Sequence, residues 1–319
     1  MSLSFDEAPD LEDIEDRLAN EDAEVRSVAV MDLREIDEDD AIPLAVKAIT
    51  DTDALVRVEA AQVMDEFTGA EIGVALVGAL ADSEEDVRKA AALTIAENKN
   101  EAAGPAYIDG VTSDDPYVKA SCLRGLRELT LPESQNIALE CLTHEDAGVR
   151  REAIGVLAYL KNEDVLFALM SAARKDTDET VRRVAMGSLV FSKSDKATET
   201  LIDGLKDENW QVREESAFVI GKVEQTAALD GLIDAMNDEY WQVRIKAASS
   251  LGKLKDPRAV NVLGQALSYK ISNLRKEAAA ALGEIKSPDA LPFLEVASQD
   301  IDPDVRKIVT WAINQIEKS

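Results

Sequence analysis

The sequence predicts an all-α protein, an α-α superhelix of ten two-helix repeats of about 31 residues, and three observations carry that prediction. A valine-arginine pair or close equivalent recurs at Val25, Val56, Val87, Val118, Val149, Val181, Val212, Val243, Leu274 and Val305, spaced by 31 residues except for 32 between Val149 and Val181. Behind every such mark an apolar or small residue returns at the fourth and eighth positions, which is one stripe of a helix. Aromatic residues are only 4% of the chain, while Ala, Val and Leu are abundant, a composition for closely stacked helices rather than for a large cofactor pocket. A period of this length marks units that cannot bury their own apolar faces and must stack on their neighbours. Because the repeat runs from residue 11 to residue 316, residues 1–319 read as a single solenoid domain.

Each unit divides into helix A, an acidic turn, helix B and a connector. Helix A presents its stripe eleven and seven residues before the mark, as in Ile14 and Leu18, Ala45 and Ile49, Leu76 and Leu80, Leu201 and Leu205, Leu232 and Met236, and Leu263 and Leu267. Before Val181 the same register would bury Arg174, so the extra residue belongs in the turn between helices, which restores Leu169 and Ala173 to the stripe. Capping signals precede helix A at Asp256-Pro257 and Ser287-Pro288. In helix B the fourth position after the mark is Ala29, Ala60, Ala91, Cys122, Ala153, Ala185, Ser216, Ala247, Ala278 or Val309, mostly small enough to let helix A approach. Gly221, Gly252 and Gly283 suit a left-handed termination of helix B. The ninth unit has Tyr269-Lys270 in place of the turn acid, which marks Leu274 as a point where the stack could break or bend.

The formal net charge is −28, and −23 of it falls within residues 1–115. Such a field repels nucleic-acid phosphate and anionic lipid, which argues against both as partners. It fits a high-salt cytoplasm or a basic partner for the amino-terminal half. Two cysteines, Cys122 and Cys141, form no CxxC pair or disulfide framework, and Cys122 stands in the alanine column, as a buried inert thiol would. The amino terminus has no basic start or apolar run, and no stretch approaches the ~18 apolar residues of a membrane span, so the expectation is a cytoplasmic protein.

The pattern D-x-x-x-x-V-R-x-x-A-x-x-x-L-G resembles the HEAT-like repeat of the phycobilisome-lyase type, with its clearest copies in DEYWQVRIKAASSLGKL at 238–254 and DENWQVREESAFVIGKV at 207–223. The resemblance implies a HEAT-like solenoid with the carboxyl ends of helices B on its inner face. It leaves function open, because such repeats serve bilin lyases, hydroxylases, signalling accessories and scaffolds.

Several columns are candidate sites. The arginines after the marks read as an internal ladder to the turn carboxylates (Asp51 and Asp53, Asp82, Asp176 and Asp178, Asp207, Asp238, Asp300 and Asp302) rather than as an anion track. Ten residues after the marks stand Glu35, Glu66, Glu97, Glu128, Tyr159, Phe191, Lys222, Lys253, Glu284 and Gln315, a strip graded from acid through aromatic to base. It reads as a solvated face or as a binding strip. Gly155 and Gly187 leave space beside Tyr159, Phe191 and Phe218, with Arg124, Arg127, Arg151 and Arg183 as a rim, either a peptide groove or aromatics packed between helices. Trp210 and Trp241 begin helices B and serve as staples across the turn or as a contact edge.

Enzyme motifs are missing. The sole histidine, His144, rules out a multi-histidine metal site within one chain, and there is no GxSxG, Walker loop or dinucleotide fingerprint. Deoxyhypusine hydroxylase is similar in fold and carries His-Glu pairs just after its marks. Arg150-Arg151-Glu152-Ala153 stands there in this chain and His144-Glu145 falls in a turn, so that di-iron site is absent. The expectation is a non-enzymatic scaffold or adaptor, monomeric and without cofactor, binding a protein along the inner face. A basic element of the partner would lie against residues 1–128 and an apolar or acidic one against residues 151–253. A bilin-lyase-like tetrapyrrole transfer factor is the alternative.

Overall fold

The computed structural model describes residues 10–192 and 195–318. The reading of the amino-terminal residues before Asp10 lies outside them. Among the described residues, twenty α-helices form the ten helix pairs of an α-solenoid. The chain divides into two compact units, Met1–Leu160 and Lys161–Ser319.

The first unit contains α1 (Leu11–Leu18), α2 (Ala23–Met31), α3 (Glu38–Ala48), α4 (Ala54–Val63), α5 (Ala70–Ala79), α6 (Glu85–Glu97), α7 (Gly104–Gly110), α8 (Pro116–Leu129), α9 (Ser134–Cys141) and α10 (Ala147–Leu160). The second contains α11 (Leu166–Lys175), α12 (Glu179–Ser188), α13 (Thr198–Gly204), α14 (Trp210–Lys222), α15 (Leu229–Ala235), α16 (Trp241–Leu254), α17 (Val260–Ala266), α18 (Ser272–Ile285), α19 (Leu291–Ala297) and α20 (Pro303–Glu317). Odd-numbered helices are the predicted helices A and even-numbered ones the helices B. Within each unit every helix A packs on the helix B that follows it, and successive helices B pack side by side.

The core follows the stripe. All ten residues four positions after the marks are fully buried, from Ala29 to Val309. Leu33, Met64, Ile95, Leu126, Leu157, Leu189, Ile220, Leu251 and Leu282, eight positions after, are buried with them. At the two ends, where one neighbour is missing, Leu18, Val25 and Ile313 are only half-buried. Leu169 and Ala173 are buried and Arg174 is exposed, pairing with Asp203 at 2.7 Å, so the added residue does sit in the turn between α11 and α12.

Three local expectations need correction. Gly221, Gly252 and Gly283 do not terminate their helices; the left-handed residues are Thr130, Lys161, Glu224, Lys255 and Lys286. Instead these glycines let successive helices B touch: a Cβ on Gly252 would lie 2.8 Å from the Ala281 Cα, and one on Gly283 the same distance from the Ala312 Cα. Leu274 marks no break, being buried within the continuous α18. At the connectors, Asp256 accepts the Arg258 N–H at 3.0 Å as a cap, whereas the Ser287 side chain makes no cap bond.

Candidate partner-binding surfaces

The acidic turns build a ladder with a more definite geometry than the sequence disclosed. Five of these arginines, Arg26, Arg57, Arg182, Arg213 and Arg275, reach forward to the turn carboxylate 25 residues on in the next repeat and grip both oxygens. Arg26 holds Asp51 at 2.8 and 2.8 Å, and Arg57 holds Asp82 at 2.7 and 2.9 Å. Arg182 holds Asp207 at 2.8 and 2.9 Å, Arg213 holds Asp238 at 2.6 and 3.0 Å, and Arg275 holds Asp300 at 2.6 and 2.8 Å. The third nitrogen, Nη1, donates backward to backbone carbonyls of the arginine's own turn, as Arg57 does to Asp51 at 2.9 Å. One guanidinium thus ties two consecutive turns, the fork geometry that favours Arg over Lys. The same carboxylates accept the backbone N–H two residues on, while Asp53, Asn209 and Asp302 cap the following helices. Arginine hydrogen bonds hold Asp51, Asp82 and Asp300 below the ordinary carboxylate range. Where Tyr269 replaces the acid, the Arg244 guanidinium stacks over its ring at 4.6 Å, which keeps the ninth repeat in register.

The strip ten residues after the marks is on the surface. Glu35, Glu66, Glu97, Glu128, Lys222 and Glu284 are exposed, Tyr159 and Phe191 are 39% and 45% exposed, and Lys253 and Gln315 are half-buried. Glu128 pairs with Lys99 at 3.0 Å.

The expected groove is occupied by the protein's own side chains. In the first unit, Arg124 and Arg151 both turn to Glu152, at 3.0 and 3.3 Å, a buried carboxylate that needs both cations. Arg127 lies over the Tyr159 ring at 5.7 Å, and its Cδ would be 3.0 Å from a Cβ on Gly155. In the second unit, the space over Gly187 is taken by the Glu215 carboxylate, 2.9 Å from the corresponding Cβ position, and Lys161 lies 5.6 Å from the Phe191 ring. In each unit the glycine therefore admits a neighbouring side chain and leaves no open floor beside the aromatic ring. Arg183 acts on Glu215 electrostatically, while burial pushes that carboxyl above its usual range.

Phe218 has a different setting. It sits half-buried on α14, and three ammonium groups face its ring: Lys246 at 5.5 Å, Lys222 at 5.9 Å and Lys253 at 6.0 Å from the centroid. Among the described residues none of the three makes an ion pair, in a chain with 63 acidic and 35 basic residues. Glu215 and Glu284, both with carboxyls raised above their usual range by burial, act electrostatically on Lys246 and Lys253 respectively. The turn edge nearby is partly used internally. Trp210 stacks on Tyr240 at 5.4 Å, a bridge to the next turn instead of a staple within its own, while Trp241 stays 38% exposed.

Lys246, Glu152 and Glu215 were missed, and one rule finds all three. A residue six positions after a mark faces the residue three positions after the next mark: Arg124 with Glu152, Gly187 with Glu215, and Phe218 with Lys246. Both cysteines are free and buried, and desolvation pushes the Cys122 thiol up to about 12, consistent with an inert core position. Among the described residues no group of three His, Cys, Asp or Glu could hold a metal, and no helix is long and apolar enough to cross a membrane.

The model of the HEAT repeats family matches residues 11–96, 104–190, 135–221, 168–240, 198–270 and 229–314. The chain belongs to the HEAT-repeat family. Solved structures similar to it include an engineered protein (20% identity, TM-score 0.51, 96% of this chain and 98% of that one) and YibA of Escherichia coli (20%, 0.54, 94% and 99%). Another is Kap95p in a structure concerned with its binding to RanGDP (13%, 0.66, 96% and 50%), so this HEAT-repeat chain spans about half the length of that relative. A Kap95:Nup1 complex is similar at 15% identity and a TM-score of 0.65, covering 97% of this chain and 51% of that one. These likenesses establish the fold. The phycobilisome-lyase subtype is not singled out among HEAT repeats by the match. Curated protein sequences give no significant match.

Proposed function

We propose that this HEAT-repeat chain is a non-enzymatic protein-binding scaffold, and that Phe218 with Lys222, Lys246 and Lys253 forms its anchor for an acidic segment of a partner. The observation that carries the reading is the set of three ammonium groups around one half-buried ring, none in an ion pair among the described residues. An aromatic ring supplies apolar contact area, and a cluster of lysine ammonium groups supplies charge complementarity to an acidic segment, the combination of a binding hot spot. Residues 1–115, with net charge −23, would accept a basic element of the same or another partner. Kap95p is described in complexes with other proteins, RanGDP and Nup1, a use that suits a long repeat surface.

The test is calorimetric binding of an acidic peptide carrying one aromatic residue, at two salt concentrations. Phe218→Ala should weaken binding by about thirtyfold, the ~2 kcal/mol of a central anchor. Lys246→Glu should abolish it, and Gln315→Ala should change nothing. Equal affinity for the wild type and Lys246→Glu removes the anchor, and a tetrapyrrole absorbance in protein purified from its source would favour the transfer-factor alternative.

A further inference from the structure

The arginine ladder has a vacancy inside the first unit. Counting 25 residues on from Arg88 gives Ser113, where the intact links of the ladder have aspartate. Everything else about the link is in place. Arg88 Nη1 donates to the carbonyls of Asp82 and Ser83 at 2.7 and 3.0 Å, the pose of Arg57 over Asp51 and Thr52. Ser113 Oγ accepts the Asp115 N–H at 3.2 Å, as each ladder aspartate accepts the N–H two residues on. The Tyr117 hydroxyl donates to the Arg88 carbonyl at 3.2 Å and holds α8 against α6. What is missing is an acceptor: Arg88 Nε and Nη2, which elsewhere grip a carboxylate, have no partner among the described residues. The next repeat offers no such opening, because there a lysine replaces the arginine and Lys119 Nζ donates back to Val111 O at 2.7 Å.

We infer that Ser113 is a phosphorylation site and that its phosphoryl group completes the link to Arg88. The hydroxyl oxygen attacks the γ-phosphorus of a nucleoside triphosphate held by a separate kinase. An O–P bond forms, the bond to the β,γ-bridging oxygen breaks, a nucleoside diphosphate leaves and the hydroxyl proton passes to the kinase base. The product carries nearly two negative charges and strong acceptor oxygens. Those oxygens supply the bidentate acceptor that the guanidinium lacks. Ser113 is half-buried in a turn whose other residues, Thr112, Asp114 and Asp115, are exposed, and a cleft of about 500 Å³ lined by Asp82, Glu85, Arg88, Lys89, Asp115 and Tyr117 lies beside that turn. Nearby acids do not distinguish this turn, since Asp51 and Asp82 also have carboxylates two residues on, at Asp53 and Glu84. The acidic flank Asp114-Asp115 calls for a kinase with a basic substrate groove.

The test combines mass and stability. In protein purified from its source, the peptide containing Ser113 should carry a phosphoryl mass that phosphatase removes. Full-length protein made with phosphoserine at position 113 should unfold several degrees higher than the unmodified chain, and Ser113→Asp should reproduce part of the rise. Both gains should vanish in an Arg88→Gln background, where the chain still folds. Three results overturn the inference: a source peptide without the added mass, a gain that persists without Arg88, or an equal Arg88-dependent gain in unmodified protein from millimolar inorganic phosphate, which would make this an anion site.

Discussion

Replacing Asp238 by Asn tests the ladder with almost no change of shape. The asparagine oxygen can still accept the Tyr240 N–H, now made at 2.9 Å, so the turn itself survives. What is lost is the negative charge and one of the two acceptors for Arg213, whose bonds are 2.6 and 3.0 Å long between side chains only 10% and 9% exposed. A hydrogen bond to a charged group contributes ~1.5–3 kcal/mol, and removing one member of a fully buried pair costs ~3–5 kcal/mol. Arg213 keeps its bonds to the Asp207 and Glu208 carbonyls at 2.8 and 3.1 Å, which places the loss at about 2–3 kcal/mol, near the lower bound for a buried pair. For a unit of this size that lowers its unfolding temperature by roughly 5–10 °C. Urea and thermal unfolding should be followed by hydrogen exchange at Tyr240 and Gln242, which reports the α15–α16 turn locally. A double-mutant cycle with Arg213→Gln should give a coupling of ~1–2 kcal/mol. The ladder has no stabilising role if Asp238→Asn costs under ~0.5 kcal/mol, or if the two substitutions add independently.

Three further outcomes follow from other parts of the molecule. Gly252→Ala should destabilise by ~1–3 kcal/mol, since its Cβ would lie 2.8 Å from the Ala281 backbone; unchanged denaturant unfolding would contradict the close approach of α16 and α18. Stability should pass through a maximum in mild acid. Asp51, Asp82 and Asp300, held low by arginine, contribute stability that is complete above the ordinary aspartate value of ~3.9 and lost as the pH falls through their folded values. Glu215 and Glu284, raised by burial, oppose folding at neutral pH and cease to do so as the pH falls through their raised values towards ~4.3, so Glu215→Gln should flatten the neutral limb of a pH series of urea titrations. Because −23 of the charge lies in residues 1–115, hydrogen exchange at low ionic strength should show this region opening first and salt should protect it; uniform protection at both salt levels would refute that self-repulsion.

Reading the chain alone was enough for the repeat, the helix pairs, the buried stripe and the position of the inserted residue. These features depend on a period of apolar and small side chains, and a helix turns its period into a face whatever its neighbours are. The ladder was visible as two columns of opposite charge, but its direction was not. That Arg213 reaches forward to Asp238 while also holding its own turn is set by how far one helix B is displaced from the next. The same displacement decided the candidate sites. It brought position six of one helix opposite position three of the next, filling the space over Gly187 with Glu215 and placing Lys246 at Phe218. It also turned Gly252 from an expected helix terminator into a contact point between helices. Side-chain contacts across 28 residues depend on the rise and rotation between successive repeats, and those come from packing two helices together rather than from the spacing along one.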